Sequence, residues 1–560
     1  MATDQIYLPP ALQQFSAWRY GAAGLFNETW RDQKAVDPKG RFLVMCFDLR
    51  FGDEVVRVCT SAEGITTTSA KDGKSYSYRP LAQAQPDINL SYTLGQASSQ
   101  ATTLSPVAVP SDVVDGLGIL RRGRLLAGFG EVSLQWDGMD HDQRIVFMKG
   151  DMDNGVQGGP SGIASDQFLS TSLSDPKATA DVNLTPWVVD LDRWSAHDVR
   201  FAGKRYPLVV NKFTDVPALL VDTNSNDWLV CYGHGWTINT TTGVRIKGGD
   251  PTASTDATFG WSQTEVMDAL GVPVTVIRFT GTHTWDGTET VHVTVTGGKF
   301  ADDLIGAIRF VAQGFTGLGS EGQNKQLYAA AQKNLYVAPS VMVNASGGGG
   351  AAKALQWIEG GLLRGFPQVS MVFSRGGYGP IVTDRRAESK RSLIAGVNPL
   401  IGRALRWSEG AKTSIFNDFT IRYDFDVVSN AYRGVATRHP GNNDLCRLIE
   451  SWSGRRSMAP IESPYITDPA TAESVADWLV DHMTLPPLFV EYPCSPWLVL
   501  EMERGDNIDL TDDWFGWTDV KATVRSLKFK KGLCSIGFYV WERYYQIGGA
   551  SVGRYVGSAS

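Results

Sequence analysis

The stretch that decides the fold runs from Pro464 to Trp541 and opens with PYITDPATAESVADWLVDHMTLPPLFVEY over residues 464–492. Asp468 can cap a helix, and Pro469 suits the first helical position, where a missing N–H costs nothing. Ala472, Val475, Ala476, Leu479 and Met483 then recur at helical spacing and draw one apolar stripe. Pro486 and Pro487 stop it. Four strand-like runs follow: Leu488–Tyr492, Trp497–Met502, Val520–Lys530 and Leu533–Trp541. Between the second and third lies ERGDNIDLT, residues 503–511. There Gly505 suits a positive φ, and Asp506 can bond back into the turn. The expectation is one helix laid on a small antiparallel barrel or sheet, with nothing catalytic in its spacing.

Working outward, 560 residues are too many for one core, so three or four domains are expected. The high glycine and tryptophan counts, 59 and 17, suit a turn-rich β protein with broad interfaces. A net charge of −7 carries no basic signature of tight nucleic-acid binding, yet lets DNA pass without sticking. Cys46, Cys59, Cys231, Cys446, Cys494 and Cys534 are scattered, most within apolar runs, and read as small core residues. No Cys-x-x-Cys is present, so neither a metal nor another cofactor is expected. The first residues lack the basic-then-apolar pattern of a signal peptide. No apolar run reaches the ~18–20 residues of a membrane helix. The expectation is a chain made in the cytosol that stays soluble until it assembles, without stable membrane insertion.

In chain order, residues 1–40 read as an arm. Trp18, Tyr20, Phe26 and Trp30 give it aromatic mass for packing on another surface, and they are the candidate interface residues. Residues 41–151 are strand-rich, with Asp72-Gly73-Lys74 as a hairpin turn between Ile65–Ser69 and Tyr76–Arg79. Asp137, Asp140, His141 and Asp142 could suggest a metal cluster but read better as a polar hairpin tip. Asp151-x-Asp153 begins like a calcium loop, yet Val156 and Gly162 occupy the places that need Gly and Glu. Residues 152–300 hold further strands, with Thr290–Thr296 alternating like a half-exposed one. His283 and His292 could face one another, with no third ligand in sight. Residues 301–386 turn helical after Asp303 and over Asn324–Asn334. A Gly347–Gly350 tip and a helix over Ala351–Glu359 follow, then a hairpin around residues 376–379. Lys353 does not complete a phosphate loop. Residues 387–545 return to strands, with a short helix Asp444–Trp452 ending near Gly454 and the helix 469–484. Residues 546–560 read as a flexible tail.

This order resembles the tail hub proteins of long-tailed bacteriophages, similar to the N-terminal core of lambda-type tail-tip attachment proteins. The motifs that carry it are the Ala472-x-x-x-Ala476 helix and L-x-x-E-x-G-D-x-I-x-L-T at Leu500–Thr511. Asn417-x-x-x-Ile421-x-Tyr423 and the W-x-G at Trp136 followed by Arg144–Gly150 add to it. The resemblance implies a multidomain, mainly β chain. It would hold two tube-like β-barrels, 41–151 and 387–545, with a β-rich insertion (152–300) and a small α+β domain (301–386) between them. Leu208–Leu220, on to His234, resembles a docking surface of hub insertions. The resemblance also implies a homotrimer that closes the tail tube. Two similar barrels per chain would then offer six near-equivalent faces to a six-fold tube. Implied partners are a distal tail protein or tube ring, the tape measure protein, and receptor-binding or fibre proteins, with phage DNA in passing only. The implied place is the virion tail tip, after assembly in the host cytoplasm. Such hubs are longer where they carry fibre modules, so here other proteins are expected to build the tip beyond.

Two other functions were weighed on residues. A distal tail or carbohydrate-binding adsorption protein could use the many tryptophans. A cell-wall hydrolase needs paired carboxylates in a cleft. Glu473 and Asp477 share a helical face and read as solvated, and Glu501 and Glu503 share one face of a strand at the turn. No enzyme is expected. Arg504-Gly505-Asp506 spells an adhesion tripeptide but reads as a turn.

Overall fold

The computed structural model describes most of residues 44–552. Residues 1–43, 81–87, 97–102, 111–127, 153–156, 161–166, 174–180, 248–259, 281–287, 298–302, 336–341, 344–352, 409–414 and 553–560, with shorter breaks, lie outside the described residues. The arm residues Trp18, Tyr20, Phe26 and Trp30, the Gly347–Gly350 tip, Asp153 and His283 are all among them.

The chain is mainly β and multidomain. The N-terminal unit is a six-stranded sheet in the order Ile65–Thr68, Ser75–Pro80, Glu54–Cys59, Val44–Phe51, Gly128–Gln135, Ile145–Asp151. The Asp72-Gly73-Lys74 turn forms as expected, with Gly73 at φ +69°. The C-terminal sheet runs Arg391–Ile394, Asn507–Asp512, Trp517–Phe529, Cys534–Val540, Leu488–Cys494, Arg406–Ser408. Among the described residues no sheet closes on itself, so the two tube-like barrels read from the sequence do not appear there as closed barrels. They are also not separate. Ile88–Ser91, from the N-terminal stretch, pairs antiparallel with Trp517–Phe529. One continuous core joins Phe47, Val58, Val132 and Phe147 to Leu498, Ile508, Val524 and Phe538.

Between them, two four-stranded sheets form a sandwich around Trp228, Ile277, Val291 and Val293. That second layer corrects the half-exposed reading of Thr290–Thr296, whose central residues Val291, His292 and Val293 are buried. Leu208–Val210 and Ala218–Val221 are buried too, alternately in the sandwich and in the helix-bearing core beside it, so most of the segment resembling a docking surface is core. The helices Leu304–Gly314 and Lys325–Asn334 start where their caps predict. Asp303 accepts from the Gly306 amide, and Asn324 from those of Gln326 and Leu327. Ala354–Gln356 continues through wider and tighter turns to Gly365. In the hairpin that follows, Gly377–Val382 is strand, so the turn falls one step earlier than expected, at Arg375.

The helix of the deciding stretch, Pro469–Met483, is capped by Asp468, which accepts from the Thr471 amide at 2.8 Å. Its placement differs from expectation. It packs on a separate three-stranded sheet, Ala431–Arg438, Phe419–Asp426 and Ile461–Glu462, and not on the strands that follow it in sequence. Ala472, Val475, Ala476 and Leu479 bury against Phe419 and Ile421, and each large apolar side chain contributes about 1.5–3 kcal/mol. The helix touches the C-terminal sheet at one place. His482 stacks on Trp478 at 4.3 Å and meets the edge of Trp541 at 4.9 Å.

A second correction concerns Trp497–Met502, read as a strand. Pro496–Glu501 is a short helix, started by Pro496 after Ser495, and it covers one end of the core with Leu498, Val499 and Leu500. A six-residue apolar run fits either element, and only burial on both sides decides. Past Trp541, the stretch expected as a flexible tail holds a two-stranded hairpin, Tyr545–Ile547 with Ala550–Val552.

Candidate functional site

The turn Glu503-Arg504-Gly505-Asp506 is where three parts of the chain meet. Gly505 takes φ +86° and donates its amide to the Val524 carbonyl at 2.9 Å. Asp506 bonds back as expected, accepting from the Glu503 amide at 2.7 Å. Arg504 does not reach solvent; it is 1% exposed. Its guanidinium donates to the carbonyls of Phe373, in the α+β hairpin, and of Ser91, in the N-terminal stretch. Arg375, at φ +50°, reaches back to the Leu500 carbonyl at 2.6 Å and lies 3.5 Å from Glu503. Ser374 donates to the same carboxylate. Burial raises the Glu503 carboxyl, but Arg504 and Arg375 outweigh it and hold the group below its usual range. Burial pushes Asp506 up despite Lys390 at 2.8 Å. A buried arginine cannot serve as an adhesion determinant, so the tripeptide is a clamp between units.

The other candidate groups are structural in their surroundings. Glu501 ends a helix and pairs with Arg391 at 2.6 Å, while Glu503 lies in the turn beyond it and faces Arg375, so the two do not share a strand face. Asp477 is not simply solvated: it receives Arg438 at 2.6 Å. Glu473 is exposed on the same helix. Asp137, Asp140 and Asp142 accept from the amides of Thr66, Ala70 and Lys71, bracing the neighbouring hairpin. His141 is buried, stacked on Tyr76 at 3.6 Å and held at about 4 by desolvation. These acids satisfy backbone donors as a hairpin tip does. His292 is buried beside Thr290 and the Asp215 carbonyl. Among the described residues no cluster of three His, Cys, Asp or Glu is placed to hold a metal, and no helix is long and apolar enough to cross a membrane.

A surface that the sequence reading missed lies along the stretch from Ile394, in one edge strand of the C-terminal sheet, to Trp407, in the other, joined by Trp514 from the turn after Asn507–Asp512. Twelve large hydrophobic side chains are exposed among the described residues, and six of them are Ile394, Val397, Ile401, Leu405, Trp407 and Trp514. That concentration exceeds the scatter of single residues on ordinary surfaces. The segment runs along the strand Leu488–Cys494, with the Ile401 and Leu405 amides donating to the Pro493 and Glu491 carbonyls at 3.0 and 2.7 Å. Trp407 sits edge-on to Phe515 at 6.3 Å, and Phe515 stacks on Trp517 at 4.2 Å. Leu405, Trp407 and Trp514 line a shallow cleft of about 450 Å³ with Arg403 and Arg406. Arg406 also pairs with Glu491 at 2.9 Å. The signal available in the sequence was the four-residue spacing of Val397, Ile401 and Leu405 ahead of Trp407.

No family model and no curated protein sequence matches the chain. Solved structures do resemble it loosely. A tail protein from Neisseria meningitidis MC58 aligns over 89% of this chain and 96% of its own, at 9% identity and TM-score 0.37. The virion of a native gene transfer agent particle contains a chain aligning over 64% of this one and 88% of its own, at 11% identity and TM-score 0.40. Prophage tail protein gp18 from Listeria monocytogenes EGD-e aligns over 85% and 94%, at 10% identity and TM-score 0.34.

Proposed function

We propose that this chain is a structural protein of a bacteriophage tail, and within the tail the hub of the tip or baseplate. In this reading it forms a homotrimer that closes the tail tube and adapts its six-fold symmetry to a three-fold tip. It binds a distal tail protein or tube ring and the tape measure protein on one side, and anchors receptor-binding or fibre proteins on the other. DNA passes through at ejection without a stable complex, in keeping with the net charge of −7. The role is non-enzymatic. The order of motifs along the chain supports the family. The observation that carries a subunit role is the exposed group of Ile401, Leu405, Trp407 and Trp514 on and beside the outer strand Arg406–Ser408. Permanent interfaces are rich in aromatics and apolar side chains of this kind, and outer strands not covered by a neighbour invite pairing. The occupant proposed for it is another copy of this chain.

The test is the mass of the purified protein in solution by mass photometry. The parent chain is expected at three times the monomer mass. Leu405→Asp with Trp407→Ser should give a monomer that still unfolds cooperatively, because both side chains are exposed within the single chain. A monomeric parent, or a variant that stays trimeric, would refute the assignment of the strip. A second reading, a carbohydrate-binding adsorption or distal tail protein, is favoured by the cleft where Trp407 and Trp514 stand beside Arg403 and Arg406. It predicts a monomeric parent whose tryptophan fluorescence shifts with host-wall glycans.

A further inference from the structure

The strands Val44–Phe51 and Glu54–Cys59 form a hairpin through residues 52–53, and Cys46 stands directly opposite Cys59. Neighbouring bonds fix the kind of position. The Thr60 amide donates to the Met45 carbonyl at 3.0 Å, so Met45 and Thr60 are a hydrogen-bonded pair. Pairs alternate along an antiparallel ladder, so Cys46 and Cys59 are a non-hydrogen-bonded pair. Such pairs bring Cα atoms to about 4.5 Å and side chains closest together. A disulfide spans Cα atoms at about 4.4–6.8 Å and Cβ atoms at about 3.5–4.5 Å. The two thiols also lean the same way. Cys46 Sγ lies 3.8 Å from the Val44 carbonyl and Cys59 Sγ 3.9 Å from that of Ser61, at the open end of the hairpin. Both belong to one small buried cluster with Val44, Ile65 and Tyr78.

A second opposed pair supplies the contrast. Cys494 faces Cys534. Here the carbonyls of Glu491 and Pro493 accept from Leu405 and Ile401 on the far side of the strand. Alternation therefore makes Cys494 and Cys534 a hydrogen-bonded pair, whose Cα separation of about 5.5 Å a disulfide could span but whose Cβ atoms, at about 5.5 Å, stand farther apart than a disulfide's. Cys231 faces Thr275, and Cys446 lies on a helix.

We infer that Cys46 and Cys59 are a disulfide modification site, closed by a disulfide oxidant of the glutathione class, while Cys494 and Cys534 stay reduced. The thiolate of one cysteine attacks the oxidant's S–S bond, forming a mixed disulfide and releasing one glutathione thiolate. The second cysteine, having lost its proton, attacks the protein sulfur of that mixed disulfide. The Cys46–Cys59 bond forms and the second glutathione leaves, so the pair gives up two electrons to the oxidant. Burial pushes both protein thiols up, which keeps the thiolate scarce in the intact sheet. Closure then proceeds through fraying of the hairpin's open end, and the bond locks that end shut. Nothing in this step depends on the role proposed above.

The experiment incubates the folded full chain with glutathione disulfide at about pH 8, near the thiol's ordinary titration range. Free thiols, counted after denaturation, should fall from six to four. Peptide mapping should recover a fragment joined between Cys46 and Cys59 that reductant separates. Cys494→Ser should leave that fragment in place. The inference is overturned if all six thiols survive under conditions that oxidise the urea-unfolded chain. It is equally overturned if only glutathione adducts form, or if Cys494 and Cys534 are the pair that closes. The outcomes that overturn it are all read on the parent chain, so none of them depends on a variant folding.

Discussion

Gly505→Ala adds one methyl group at the turn where three parts of the chain meet, and its cost can be worked from the structure. A Cβ at this position would fall 2.0 Å from Cγ2 of Ile381 and 3.2 Å from its Cβ. Ile381 is a buried side chain in the α+β hairpin, so it has little room to give. Two penalties add. The left-handed φ of +86° costs an L residue about 1–2 kcal/mol. Overpacking costs about 1–3 kcal/mol more. The expected loss is therefore about 2–5 kcal/mol. Ile381→Ala alone should cost about 2–5 kcal/mol by leaving a cavity. In the double variant the new methyl enters that cavity, so the combined loss should fall short of the sum by about 1–3 kcal/mol, the steric share. The assay is urea unfolding followed by tryptophan fluorescence, with hydrogen exchange at the Val524 amide, which donates to Asp506 at 2.9 Å. A chain of several units need not unfold in one step, and the exchange probe assigns the transition that moves. A Gly505→Ala chain within about 0.5 kcal/mol of the parent, the range of ordinary surface changes, or a strictly additive double variant, would refute the reasoning.

Four other outcomes are expected. Burial lowers His482 to about 3 and His141 to about 4, so the folded chain binds fewer protons than the unfolded one between those values and about 6.5; stability should be full above pH ~6.5 and fall by about 1.4 kcal/mol per unit per histidine below it. His482→Met should remove its share of that acid slope in thermal melts taken across pH, and an unchanged slope would show the assignment to be mistaken. Arg504→Met takes a fully buried guanidinium from Glu503 and removes the donor to the Phe373 carbonyl; a loss of about 3–5 kcal/mol is expected in urea titration. Asp477→Asn with Glu473→Gln breaks only an exposed pair with Arg438, so stability should drop by no more than about 1 kcal/mol and any lytic behaviour of the particle on cell-wall zymograms should be unchanged. Deleting residues 1–35, with Trp18, Tyr20, Phe26 and Trp30, should leave a folded chain that fails to assemble; particles that remain infectious would make the arm dispensable.

Local chemistry is what the sequence by itself determined. Asp468, Asn324, Asn443 and Asp303 cap helices because a short acceptor ahead of an apolar stripe has backbone donors within reach whatever else surrounds it. Asp72-Gly73-Lys74 and Gly505 mark turns for an equally local reason, since only glycine takes a positive φ without strain. The mainly β, multidomain class also followed from alternation, turn residues and length. What only the tertiary structure decided was which surfaces are covered. Pro496–Glu501 is a helix and not a strand because its apolar run caps a core on one end. The helix Pro469–Met483 lies on Ala431–Arg438 and Phe419–Asp426 because its stripe specifies an apolar neighbour without naming which. Arg504 is buried because distant carbonyls at Ser91 and Phe373 converge on it, and Trp407 is exposed because nothing in the described chain covers its strand. Cys46 meets Cys59 at a non-hydrogen-bonded position, and Cys494 meets Cys534 at a hydrogen-bonded one, through strand register. Pairing, burial and register depend on residues tens to hundreds of positions apart, and short-range propensity carries no information about such distances.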